Sequence, residues 1–116
     1  MGALVSKEHL AKVMNYVKIA KEEGGTIECG GERMSIAGFE GGYFMQPTVV
    51  TGVSPTSRIM QEEVFGPVVT IYPFESEAEV IEYANGTPYG LSACLWTENG
   101  KRATRVAQQL HVGTVW

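Results

Sequence analysis

From residue 64 onward, segments that read as strand and as helix take strict turns, and this alternation restricts the fold more than any other feature. Residues 64–72 are aromatic and β-branched around Gly66-Pro67, and their second half reads as a buried strand. Ser76-Glu77-Ala78-Glu79 is a capping-box pattern, after which Val80, Ile81, Tyr83 and Ala84 supply the apolar face of a short helix. Asn85-Gly86 and Pro88 end it. Residues 91–97 predict a strand, and 99–110 a helix with Ala103, Val106, Ala107 and Leu110 on one face. Residues 112–116 begin a further strand. Strands that alternate with helices need crossover connections, which predicts an α/β fold: a mostly parallel sheet with helices on its faces. No turn or cap follows the last strand at Trp116, so a truncated segment of a larger domain is expected.

The first part of the chain is less regular. Ser6 can cap a helix over 6–23, with Leu10, Val13, Met14, Val17 and Ala20 at helical spacing and Gly24-Gly25 as its stop. Residues 26–29 alternate as a strand, and the glycine-rich stretch 30–42 reads as a surface loop. A second strand region over 43–50 is interrupted by Pro47, which places it at an edge or a bulge. A turn-rich connection covers 51–58.

Composition removes several functions. The net charge is −4 and the basic residues are scattered, so no nucleic-acid stripe is present. No apolar run is long enough to span a membrane. Cys29 and Cys94 form neither a CxxC nor a His/Cys cluster, so no metal site is expected. Both lie in apolar, strand-like segments, where a thiol behaves as a buried hydrophobe in a reduced, cytoplasmic protein. No two glycines stand two positions apart, which excludes the GxGxxG fingerprint, and neither HExxH nor GxSxG occurs.

One segment carries chemistry: Gln61-Glu62-Glu63-Val64-Phe65-Gly66-Pro67-Val68. A carboxylate is a pure acceptor with two oxygens, and a ribose diol presents two neighbouring hydroxyl donors, so the pair can bond bidentately. If the chain is extended, Phe65 lies on the same side as Glu63 and can pack on a flat ring attached to that sugar. Gly66 allows close backbone approach, and Pro67 stiffens the exit. On the residues alone, an acidic turn before a strand with Phe65 in the core stands beside this reading.

Four ordered blocks add context: Gly42-Tyr43-Phe44-Met45-Gln46-Pro47-Thr48-Val49, Glu62-Glu63-Val64-Phe65-Gly66-Pro67-Val68, Tyr89-Gly90-Leu91-Ser92-Ala93 and Gly113-Thr114-Val115-Trp116. With the opening Gly2-Ala3-Leu4-Val5-Ser6-Lys7-Glu8-His9-Leu10, they resemble the aldehyde dehydrogenase superfamily over nearly the whole chain, with wording similar to muconate-semialdehyde dehydrogenases.

The resemblance implies that residues 1–116 are part of a catalytic domain in an NAD(P)-dependent enzyme that oxidises an aldehyde through a cysteine-bound thiohemiacetal. It implies that Glu63 binds the nicotinamide ribose and that Phe65 lies against the ring end of the cofactor. His9 and Lys12 match positions that touch the adenosine end, although glutamine is commoner at the His9 position. Glu62 has no assigned role and reads as solvated or structural. The nucleophile-bearing segment and the Rossmann domain lie outside these residues, so no catalytic residue is expected in this chain and the chain alone is expected to be inactive. A homodimeric or homotetrameric parent follows from the family. A stand-alone interaction module or decoy subunit is the alternative, and neither the aldehyde nor the choice of NAD over NADP can be read.

Overall fold

The computed structural model describes residues 1–116, which divide into two compact units, Met1–Tyr72 and Pro73–Trp116.

The first unit opens with α1 (Lys7–Glu22). Ser6 caps it as its sequence predicts, its hydroxyl accepting from the His9 amide at 3.1 Å. Leu10, Val13, Tyr16, Val17 and Ala20 form the buried stripe; Tyr16 takes a place the periodicity gave to Met14. Then follow β1 (Thr26–Cys29), β2 (Arg33–Met34), β3 (Phe44–Met45), β4 (Thr48–Thr51), α2 (Arg58–Gln61) and β5 (Val68–Thr70). β1, β4 and β5 make a three-stranded sheet in that order, and β2 and β3 make a separate ribbon. β2 falls inside the stretch whose glycines predict a loop.

Pro47 divides the 43–50 region in two, but the strand after it is central rather than at an edge. The ladder starts one residue past the proline, with the Thr48 amide donating to the Pro67 carbonyl at 2.9 Å, so the missing N–H of Pro47 is never required. The expected buried strand is also corrected. β5 is the edge of its sheet, and Val69 and Ile71 are exposed. The core forms instead between α1 and the β4 region, in one cluster of Leu10, Val13, Val17 and Met45 and another of Ala20, Val50, Val53 and Ile59.

The second unit contains α3 (Glu77–Asn85), β6 (Ser92–Ala93), α4 (Gly100–Ala107) and β7 (Thr114–Val115). The capping box of α3 is complete: Ser76 Oγ accepts from the Glu79 amide, and the Glu79 carboxylate accepts from the Ser76 amide. Asn99 caps α4 by accepting from the Arg102 amide at 3.0 Å. Glu77 accepts two bonds of 2.7 Å from the Arg105 guanidinium, which ties α3 to α4.

The α/β class holds. Parallel pairing occurs in β4–β5 and β6–β7, each pair with a helix between its strands. β1–β4 and β2–β3 have no helix between them and run antiparallel, because a parallel return needs a crossover. No helix is long and apolar enough to cross a membrane.

Candidate functional site

The polar edge of α1 runs antiparallel to residues 58–65 and touches them in order. The Glu23 carboxylate, at the end of α1, accepts from the Arg58 amide at 3.0 Å. Two turns earlier, Tyr16 Oη donates to Glu62 Oε2 at 2.6 Å. Lys12 Nζ donates to the Glu63 carbonyl at 3.4 Å. His9 Nε2 lies 2.6 Å from the Phe65 carbonyl, and because a carbonyl only accepts, that nitrogen carries the proton. Residues 9, 12 and 16 share one helix face, as a spacing of three and four dictates. His9 and Phe65 also meet ring edge to ring face, with centroids 6.1 Å apart.

Glu62 accepts three hydrogen bonds. Arg58 Nε and a terminal guanidinium nitrogen donate to its two oxygens at 2.8 and 2.9 Å, beside the Tyr16 hydroxyl. The Arg58 guanidinium, with the Tyr16 hydroxyl adding to it, brings the Glu62 carboxyl down to about 2. The same bonds raise Arg58 and Tyr16 above their ordinary values, chiefly through Glu62. Arg58 and Lys12 lie 5.7 and 5.8 Å from the Tyr16 ring centre, so two cations share one aromatic wall.

Glu63 and Phe65 are both exposed, Phe65 at 71%. The backbone between them is not the simple extended run that the same-side argument assumes. Phe65 sits at φ 57, in the left-handed region, so the chain turns there. Gly66 follows against α1: a Cβ on it would lie 2.7 Å from Val13 Cγ1, so the close approach its sequence position predicts is made to the helix. An open groove of about 550 Å³ is lined by Met1, Gly2, Ala3, Leu4, Phe65, Gly66 and Pro67.

All four residues nominated from the sequence, His9, Lys12, Glu63 and Phe65, therefore meet at one turn. Sequence reasoning placed the first two at the opposite end of a ligand; here their side chains hydrogen-bond to carbonyls of the turn. It missed Tyr16 and Arg58 altogether. The available signal was local, since Arg58 stands four residues before Glu62, the spacing of a helical ion pair. The cysteine expectation is corrected too: Cys29 and Cys94 are free and exposed, because β1 is an edge strand and Cys94 lies just past the two-residue β6. No group of three or more His, Cys, Asp or Glu side chains is placed to hold a metal ion.

The model of the aldehyde dehydrogenase family matches residues 1–116. Human 2-aminomuconic semialdehyde dehydrogenase is 50% identical over 119 aligned residues, covering 100% of this chain and 24% of its own length. Betaine aldehyde dehydrogenase of Mesorhizobium japonicum is 48% identical over 116 residues, again covering 100% of this chain and 24% of its own. The chain thus spans about a quarter of the curated relatives it matches. Betaine aldehyde dehydrogenase from Staphylococcus aureus in complex with NAD+ superposes with a TM-score of 0.96 at 46% identity, covering 100% of this chain and 23% of that one. With the family pattern met from end to end and the backbone path shared with solved members, the chain belongs to the aldehyde dehydrogenase family.

Proposed function

We propose that residues 1–116 are the part of an NAD(P)-dependent aldehyde dehydrogenase catalytic domain that holds the nicotinamide ribose. The observation that carries this reading is the convergence of Glu63, Phe65, His9 and Lys12 on one turn. The residues suit such a ligand: an exposed carboxylate for a diol, and an exposed benzyl ring for a flat heterocycle at the margin of an open groove. The solved Staphylococcus aureus and Bacillus cereus relatives are NAD+ complexes, which supports NAD as the cofactor.

The cofactor, when bound, supplies the hydride acceptor. In the reaction proposed here, a cysteine thiolate outside this chain adds to the aldehyde carbon, which then gives up hydride, and water cleaves the resulting thioester to the acid. Glu63 holds the ribose hydroxyls, and Phe65 limits where the attached ring can lie. His9 and Lys12 hold the turn and remain candidates for contact with the rest of the dinucleotide. The nucleophile-bearing segment and the dinucleotide-binding domain belong elsewhere in the parent, a cytoplasmic homodimer or homotetramer on the family resemblance. A match to an enzyme family over all 116 residues weighs against a stand-alone interaction module.

In the full-length enzyme, Glu63→Gln is expected to slow single-turnover hydride transfer by about 10- to 100-fold, as a misplacement of ~1 Å can. The dissociation constant for NAD is expected to move much less, because the ribose contact acts mainly in the transition state. An unchanged hydride step in stopped-flow NADH fluorescence would remove Glu63 from this role. The isolated 116-residue chain is expected to produce no NADH from any aldehyde. Aldehyde-dependent absorbance at the NADH band from this polypeptide alone would show that the nucleophile had been misplaced.

A further inference from the structure

We propose that Glu62, clamped by Tyr16 and Arg58, is the positioning residue that turns Glu63 toward the ribose. This rests on the reading of Glu63 given above. Two adjacent glutamates have the same chemistry, so something must decide which of them faces the ligand. Glu62 has an extended backbone, φ −114 and ψ 151, and in extended chain successive side chains point to opposite sides. Fixing the first therefore directs the second.

The clamp is suited to that task. Its inner wall is Tyr16, only 8% exposed and locked in the core stripe of α1. Its outer jaw is Arg58, whose planar fork meets both carboxylate oxygens and so sets their orientation as well as their position. Arg58 is itself pinned, since its amide donates to Glu23 at the end of α1. Beyond the clamp, Lys12 and His9 take the carbonyls of residues 63 and 65. Glu62 is thus the fixed point from which the left-handed turn at Phe65 departs. A Gln at 62 keeps one acceptor oxygen, which can still take Tyr16 and one guanidinium N–H, but it presents an amide nitrogen to the other arm of the Arg58 fork, so the two-point grip is lost.

The test uses the full-length enzyme with Tyr16→Phe, Glu62→Gln, Glu62→Ala and, as reference, Glu63→Gln. Two quantities are read for each: the single-turnover hydride step and the inhibition constant of ADP, which lacks the nicotinamide ribose. Glu62→Ala is expected to slow hydride transfer about 10- to 100-fold with ADP binding unchanged. Tyr16→Phe and Glu62→Gln are expected to fall between it and the parent. If the Glu62 and Tyr16 variants transfer hydride within about twofold of the parent while Glu63→Gln is slow, the clamp is structural only and the inference fails alone. Loss of ADP binding in step with the hydride rate also overturns it, because that reports general unfolding. If Glu63→Gln is itself normal, the ribose reading fails and takes this inference with it.

Discussion

In Met1–Tyr72, α1 lays Leu10, Val13, Val17 and Ala20 against Met45, Val50, Val53 and Ile59, in two clusters that share Ile27, Val64 and Val68 at their margins. In Pro73–Trp116 one apolar side chain, Val106, is buried, while Leu91, Trp96 and Trp116 are 87%, 90% and 78% exposed. The second unit draws its order from local devices: a capping box, an asparagine cap and the Glu77–Arg105 fork. An N-cap contributes about 1 kcal/mol and an exposed ion pair about 0–1, whereas each buried aliphatic side chain contributes roughly 1.5–3. The two units share a style of secondary structure but not a source of stability, and the candidate site lies in the unit that has a core.

Separating the units gives the largest expected effect. Residues 1–72 alone should keep slowly exchanging amides in α1 and β4, whereas 73–116 alone should exchange at unstructured rates throughout. Protection across α3 and α4 in the shorter peptide would break the comparison. Within the whole chain, Leu10→Ala should cost about 2–5 kcal/mol in urea unfolding, and Leu91→Ala less than about 0.5. Equal costs would mean that Leu91 is covered in solution.

Acid should sharpen the contrast with the smallest change. The Glu62 carboxyl is lowered from its ordinary 4.5 to about 2, and Arg105 lowers Glu77 as well. A lowered folded-state value gives stabilisation that is present above the ordinary range and lost as pH falls through the lowered one. As pH falls below the ordinary carboxylate range, α3 and α4 should lose amide protection first, since an ion pair is one of their few long-range ties. α1 should hold to near pH 2, because its core does not titrate. Simultaneous loss would sink this reading.

What the sequence made legible follows the same division. Ser6, the Ser76 capping box and Asn99 signal helix starts through contacts within four residues, and each stands where its pattern puts it. α2 gave no such signal: it has four residues, and its Ser57 cap makes no side-chain bond, so Glu23 and Tyr16 from α1 hold its ends instead. The exposure of β5 and the central place of β4 depend on which strands pair, which local periodicity does not encode. The candidate site residues were nominated through family resemblance. Their mutual geometry was not legible, because the left-handed backbone at Phe65 and the bonds from His9 and Lys12 join positions more than fifty residues apart.

Position 65 has a consequence for how such a protein tolerates change. A left-handed backbone costs an L-residue about 1–2 kcal/mol, and glycine would sit there without that cost. Phenylalanine recovers little of it by burial, since most of the ring faces solvent. A Phe65→Gly exchange should therefore raise thermal stability, and an aromatic held in this conformation is a local cost that the fold itself does not require.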